Sequence, residues 1–148
     1  MKTQDKIKRL KNKCDKLWSE AIRTRDGECI LCGKKEGLNA HHWIHSRAQG
    51  NSHRWDVKNG VAVCFACHLY KIHNYASADI IERLKNTAFE RGIVTPEEYE
   101  QIANNHAIAK FGVDDMERIK EYLTAYLESL DPNYYAVGGT ENENEQTI

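Results

Sequence analysis

The sequence lacks the features that direct a chain into or across a membrane. It has no apolar run long enough to span a bilayer, and its N-terminal stretch MKTQDKIKRLKNKC is charged and lacks the apolar core of a signal peptide. These absences predict a cytoplasmic protein with no membrane partner. The five cysteines are an odd number in a chain without a secretory signal, which argues against a disulfide framework.

The chain also has little net charge, −1 over 148 residues, but that charge is unevenly distributed. Residues 1–73 carry 15 Lys and Arg against 7 Asp and Glu, whereas residues 74–148 carry 6 against 15. This division predicts that the first half contacts a polyanion. The alternative is that two oppositely charged halves attract each other within one fold.

Apolar residues recur at helical spacing in four segments of the chain. The first segment covers residues 4–24, where a stripe of basic residues lies beside the apolar stripe. The other three predicted helices are 77–92, 95–112 and 113–130. The helix predicted over 95–112 contains His106, which is expected to be structural.

The segment that follows the first helix, residues 28–73, has a different character. ECILCGKKEGLNA predicts a zinc knuckle and a strand, KNGVAVC predicts a turn and a second strand, and FACHLYKIH predicts the start of a short helix. The sequence therefore predicts an α+β protein. We divide it into a basic N-terminal helix (1–27), a zinc-stapled centre (28–76), a helical region (77–131) and an acidic, disordered tail (132–148).

Four of the five cysteines fall into two CxxC pairs, Cys29 with Cys32 and Cys64 with Cys67. A CxxC turn directs two thiolates at one ion, and two such turns complete the tetrahedron that Zn²⁺ prefers. Because four sulfur ligands leave no open position, we expect a structural Zn²⁺ that joins the two ends of a segment with few apolar residues. Buried or redox-active thiols are the alternative. Cys14 lies on the apolar face of the first helix and is expected to be a core thiol.

Between the two pairs the sequence has the order His-His, Asn, and then a CxxC that is followed directly by His. The stretches AHHW, KNG and CFACHLYKIH resemble the ββα-metal fold of the HNH endonucleases, in the variety that carries two CxxC pairs. Together with CDKLWSEAIRTRDGECILCG they are similar to phage recombination endonucleases of the Rap/NinG type, which are associated with branched DNA and Holliday junctions. The two resemblances cover residues 28–73 and 14–73. A phage-encoded protein of this kind would act in the cytoplasm of its bacterial host.

The resemblance implies a role for each matching residue. His41 would be the first ligand of a catalytic divalent metal and His68 the second, with Mg²⁺ or Mn²⁺ expected and Zn²⁺ or Ni²⁺ as alternatives. His42 would be the general base, and Asn59 would hold the hairpin so that His42 is correctly oriented. Phosphodiester hydrolysis needs these residue types, because a neutral imidazole can take a proton from water and a divalent cation can clamp the scissile phosphate.

Two features of this arrangement impose geometric conditions. Adjacent residues on a regular strand point to opposite faces, so His41 and His42 serve one site only if the strand bends or ends there, or if the site straddles its edge. His73 is expected to be the third metal ligand, with water or phosphate oxygens as the alternative. Because His73 lies five residues after His68, a shared face requires that the helix has ended or contains a π-bulge.

Basic residues of the first helix and of the polar loop SRAQGNSHRWD are predicted to contact DNA. They are Lys6, Arg9, Lys13 and Lys16 in the helix, and Arg47 and Arg54 in the loop. Such residues bind phosphates without reading sequence, and a solvated helix face is the alternative for the helix residues. His45 and His53 are expected to be solvated, with phosphate contact as the alternative. Trp43 and Trp55 are expected to pack against the hairpin.

The sequence thus predicts a metal-dependent DNA endonuclease that nicks or resolves branched recombination intermediates. One alternative is a non-catalytic zinc module that binds DNA in a recombination or packaging complex, which would not need His42 as a base. The other is a nuclease that cuts ordinary duplex DNA. The apolar seam from Met116 to Leu130 is expected to pack on the other second-half helices or to form a homodimer, which would place two active sites on two strands.

Overall fold

The computed structural model describes residues 2–46, 52–73 and 78–134. Within these ranges the architecture is α+β, as the sequence predicts, with four α-helices and one two-stranded antiparallel sheet. The elements are α1 (Thr3–Asp26), β1 (Leu38–His42), β2 (Gly60–Cys64), a π-helix (Cys67–His73), α2 (Ala78–Glu90), α3 (Pro96–Asn104) and α4 (Val113–Leu130). None of the helices in the described ranges is long and apolar enough to cross a membrane. The predicted DNA contact Arg47 and residues 135–148 of the predicted tail lie outside these ranges.

α1 buries one apolar stripe along most of its length. Side chains at three- and four-residue steps form that stripe: Leu10, Cys14, Leu17, Trp18, Ala21 and Ile22. The helix ends at Gly27, whose φ of +68° is left-handed backbone that glycine adopts without strain. Cys14 is fully buried, which confirms the predicted core thiol, and this burial raises its pKa to about 12.

α4 covers the predicted residues, but its apolar seam lies against α1. Met116, Leu123 and Leu127 share one buried cluster with the apolar stripe of α1. The expectation that the seam packs on the other second-half helices is therefore wrong, because the stripe of α1 is long enough to bury it. A homodimer stays a prediction, and it would have to use a different surface of the chain.

The sheet lies between α1 on one face and the cysteine pairs with the π-helix on the other. β1 and β2 run antiparallel, with His42 opposite Gly60 and His41 opposite Val61. All five residues of β2 are buried because both faces are covered. Ala62 belongs to the cluster on the α1 side, whereas Val61 and Val63 belong to the cluster on the cysteine side. Alternate residues of β1 therefore also face opposite sides.

α3 begins where the sequence predicts and ends earlier. Thr95 caps its first turn in a complete capping box. The sequence predicts that this helix reaches residue 112, but it ends at Asn104. The Asn105 side chain accepts a hydrogen bond from the backbone N–H of Ala107 (3.0 Å). This turn competes with the helical hydrogen-bond pattern. His106 consequently lies in the irregular segment after α3 and is exposed, which corrects its placement on a helix.

Candidate metal centre and histidine site

The four cysteines of the two CxxC pairs converge on one point. Their sulfur atoms all lie within 4.8 Å of one another, and the Sγ atoms of Cys32 and Cys64 are 3.6 Å apart. A tetrahedral Zn²⁺ with Zn–S distances of about 2.3 Å requires sulfur atoms separated by about 3.8 Å. The quartet therefore fits a structural metal ion such as zinc, in the closed four-sulfur arrangement that the sequence predicts.

Local backbone geometry builds this quartet. Gly33 has a φ of +80° and donates its N–H to the carbonyl of Cys29 (2.8 Å), which closes the first CxxC turn. In the second turn the backbone N–H of Cys67 donates to Sγ of Cys64 (3.4 Å), and this bond lowers the pKa of the Cys64 thiol to about 7. Burial raises the pKa of Cys67 to about 12. Because metal ligands must be thiolates, metal binding would release the Cys67 proton.

His41 and His68 approach each other on the cysteine side of the sheet. Their ring centroids are 5.1 Å apart in an edge-to-face arrangement, and both side chains are half-buried. This brings together two of the three predicted ligands of the catalytic metal. Within residues 2–46, 52–73 and 78–134 the cysteine quartet is the only cluster of three or more metal-ligating side chains, so the catalytic metal stays a prediction.

The backbone of the π-helix meets the condition set for His73. Hydrogen bonding from residue i to residue i+5 brings positions 68 and 73 to the same side of the helix axis. In an α-helix the same two positions would be about 140° apart. The side chain of His73 lies outside the described part of the chain, and its role as third ligand stays a prediction.

His42 is the last residue of β1, and its side chain faces α1. Its imidazole stacks on the indole of Trp18, with centroids 3.9 Å apart and 7° between the ring planes. Nε2 of His42 lies 2.8 Å from the backbone oxygen of Arg54. Because a carbonyl oxygen can only accept, Nε2 carries the proton, and Nδ1 is the basic atom of the neutral ring. His41 and His42 therefore face opposite sides of the sheet, and a site that both serve would have to straddle the end of β1, which stays a prediction.

Asn59 holds the loop that follows His42. Its side chain is buried, and its Oδ1 accepts from the backbone N–H groups of Ile44 (3.0 Å) and His45 (2.9 Å). Its Nδ2 donates to the backbone oxygens of His45 (3.0 Å) and His53 (3.1 Å). These four bonds restrain the backbone on both sides of the loop, and none of them reaches the imidazole of His42 itself.

His45 is buried, so the expectation of a solvated loop histidine is wrong for this residue. Its side chain is 7% exposed, and its Nε2 donates to the backbone oxygen of Ile102 at the end of α3 (2.5 Å). His53 stacks on it with centroids 4.9 Å apart and donates to the oxygen of Asn105 (3.1 Å). His45 thus docks on α3 and His53 on the residue that follows α3. The His45 contact joins residues 57 positions apart and has no local signal in the sequence.

Both tryptophans pack as expected against the hairpin, since each belongs to an apolar cluster that contains residues of β2. Trp55 is buried, and the indole N–H of Trp43 donates to the backbone oxygen of Lys58 (3.0 Å). The ammonium group of Lys58 forms an ion pair with Glu98 of α3. The hydrogen bond in this pair raises the pKa of Lys58 and lowers the pKa of Glu98. The start of α3 is therefore tied to the same turn that carries Asn59.

Arg54 forms an ion pair with a residue that sequence reasoning missed. Its guanidinium donates to both carboxylate oxygens of Asp15 in α1, at 2.9 and 2.6 Å, and its side chain is 11% exposed. The indole N–H of Trp55 also donates to Asp15 (2.9 Å). An acidic residue within a basic helix was the available signal for Asp15. The predicted phosphate contact of Arg54 stays a prediction.

The basic stripe of α1 lies on the flank of the helix away from Asp15. At 100° per residue, the positions of Lys6, Arg9, Lys13 and Lys16 point about 100–180° away from that of Asp15. Arg25, in the last turn of α1, donates to the backbone oxygens of Val57 and Gly60, both at 2.7 Å. DNA binding by the stripe stays a prediction.

Comparisons with known proteins do not assign this site. No protein-family model, curated protein or solved structure matches the chain.

Proposed function

We propose that the chain is a metal-dependent endonuclease that hydrolyses phosphodiester bonds in DNA, and that branched recombination intermediates are its substrates. Residues 28–73 would form its ββα-metal (HNH) nuclease motif. The order of two antiparallel strands followed by a short helix supports this assignment, as does the approach of His41 to His68. The choice of branched DNA follows from the resemblance to recombination endonucleases.

The observation that carries the proposal is the hydrogen bond between Nε2 of His42 and the Arg54 carbonyl, 2.8 Å long. In the neutral imidazole, this bond places the proton on Nε2 and leaves Nδ1 as the basic atom. A neutral imidazole with a fixed basic nitrogen is suited to take a proton from water. A module that only binds DNA has no need for a general base.

The residues then have distinct tasks. Nδ1 of His42 takes a proton from a water molecule, whose oxygen attacks the phosphorus while the bond from phosphorus to the leaving oxygen breaks. His41 and His68 would hold a divalent metal, which when bound relieves negative charge on the scissile phosphate and the leaving oxygen. Asn59 keeps the loop after His42 in place, and the cysteine quartet joins the two ends of the motif.

The test is a cleavage assay with labelled Holliday junction, fork and linear duplex DNA. Each substrate is incubated with Mg²⁺, Mn²⁺, Zn²⁺, Ni²⁺ or EDTA. Native protein is compared with His42→Ala and with His106→Ala, a matched control at an exposed histidine. Loss of a general base should lower the rate by about 10²- to 10⁴-fold in His42→Ala. We expect DNA affinity to be retained in this variant and native cleavage in His106→Ala.

The outcomes separate the alternatives. Absence of cleavage by native protein with every metal would contradict the enzyme and favour the non-catalytic DNA-binding module. Equal rates on junction and linear duplex would retain the nuclease and overturn the branched substrate. Cleavage by His42→Ala at the native rate would overturn the assignment of the base.

A further inference from the structure

The imidazole of His42 is positioned by α1, which precedes the proposed nuclease motif in the sequence. We propose that Trp18 and Asp15 of α1 are positioning residues for His42, with Asp15 acting through Arg54. The inference rests on the proposed function, because it describes how the general base of that reaction is held. Two separate sets of contacts support it, one to the face of the imidazole and one to its Nε2 atom.

Trp18 restrains the plane of the imidazole. The two rings are nearly parallel and 3.9 Å apart, so rotation of the His42 ring would drive its edge into the indole. The indole is itself fixed, because it is 3% exposed and its Nε1–H donates to the backbone oxygen of Asp56 (2.9 Å). A rigid aromatic surface therefore supports one face of the proposed base.

Asp15 restrains the group that binds Nε2 of His42. Its carboxylate accepts two hydrogen bonds from the Arg54 guanidinium, at 2.9 and 2.6 Å, and one from the indole N–H of Trp55. A bidentate pair of this kind fixes direction as well as distance. The backbone oxygen of the same Arg54 accepts the Nε2–H of His42. The restraint therefore passes from α1 to the imidazole through a single residue.

This arrangement gives Arg54 a task that differs from phosphate binding. Its positive charge faces Asp15 and also lies over the Trp55 ring, 4.8 Å from the centroid. If Arg54 mainly bound phosphate, neutralising Asp15 would free the guanidinium and improve DNA binding without slowing the chemical step. If Arg54 anchors His42, the same change lowers kcat. The two roles predict different kinetic effects for one substitution.

The kinetic experiment uses Asp15→Asn in the full chain and the DNA substrate that native protein cuts. We expect kcat to fall by about 10- to 100-fold, the usual cost of losing a supporting contact at a reactive group, with KM unchanged or lower. Asp5→Asn is the matched control, because it removes the same charge from an exposed position of the same helix. It should keep kcat within about twofold of native, as expected for a surface change. Asp15→Glu, which retains the charge, should recover part of the loss.

A spectroscopic readout tests the positioning without relying on activity. Long-range ¹H–¹⁵N NMR correlations report which ring nitrogen of His42 carries the proton. Native protein and Asp5→Asn should show the Nε2–H tautomer alone, and Asp15→Asn should show a mixture of tautomers. Native kcat together with a single tautomer in Asp15→Asn would overturn the role of Asp15. If native protein cuts no DNA, the proposed function fails, whereas the NMR comparison still decides the positioning.

Trp18 is tested with two variants, because it belongs to the core. Trp18→Phe keeps an aromatic face, and Trp18→Leu removes it. We expect the larger loss of kcat in Trp18→Leu, and a partial recovery in Trp18→Phe. Circular dichroism and zinc content identify variants that fold. Native kcat in a folded Trp18→Leu would overturn the role of Trp18. If Trp18→Leu does not fold, the other two variants decide the proposal. A native tautomer and native kcat in both Trp18→Phe and Asp15→Asn would then overturn it.

Discussion

Replacing Asn59 by alanine should destabilise the protein strongly, because one side chain satisfies four backbone groups. Asn59→Ala removes the two hydrogen bonds that Oδ1 accepts and the two that Nδ2 donates, all between 2.9 and 3.1 Å. Each such bond contributes about 1 kcal/mol net, so the free energy of unfolding should fall by about 4 kcal/mol. A typical domain has about 5–15 kcal/mol in total, and the variant is therefore expected to be close to unfolding.

The assay is urea denaturation with zinc present, followed by tryptophan fluorescence and circular dichroism. Asn59→Asp sharpens the measurement, because it keeps the two accepted bonds and turns the two donated bonds into contacts between oxygen atoms. It should also be destabilised, by about 2 kcal/mol or more. Asn12→Ala, at an exposed position of α1, is the control and should change stability by less than about 0.5 kcal/mol. A loss below about 1 kcal/mol in Asn59→Ala would refute the reasoning.

Three further predictions concern the cysteines and the contact between α1 and the sheet. Native protein should carry one Zn²⁺ per chain by atomic absorption, and Cys64→Ser should lose both the zinc and the ordered structure of the motif. Native protein that is free of zinc and still folded would contradict this prediction. The pKa of Cys14 is about 12 in the folded chain against 9.0 for an exposed thiol, so its contribution to stability is complete below pH 9.0 and is lost as the pH rises towards 12. Cys14→Ala should flatten this part of the curve of unfolding free energy against pH, and an unchanged curve would argue against the assignment. Gly60→Ala should cost about 1–3 kcal/mol in urea denaturation, since a Cβ there would lie 2.6 Å from both Trp18 and Ile22, and native stability would show that this contact relaxes freely.

Features set by neighbouring residues could be predicted from the sequence. The stripe of α1, the capping box at Thr95 and the two CxxC turns each depend on residues a few positions apart. The resemblance to the HNH nucleases, carried by the order of histidines and cysteines, also implies that His41 and His68 meet, and their rings do lie 5.1 Å apart. These are local signals of spacing and residue type.

Features set by distant contacts could not be predicted. The sequence around His45 predicts a solvated loop residue, but His45 is held by a hydrogen bond to Ile102, which lies 57 positions away. Asp15 pairs with Arg54 across 39 positions. The early end of α3 depends on a side-chain turn at Asn105 that competes with helix over a single residue. Periodicity carries no information on which buried surfaces meet, so the packing of α4 on α1 was also missed.

The most direct test of the central claim is single-turnover cleavage of a labelled Holliday junction at saturating protein, with native chain and His42→Ala measured side by side. We predict metal-dependent cleavage by native protein and a rate constant lower by about 10²- to 10⁴-fold in the variant, with equal DNA affinity. Equal rate constants for the two proteins, or no cleavage by either with any divalent metal, would contradict the claim.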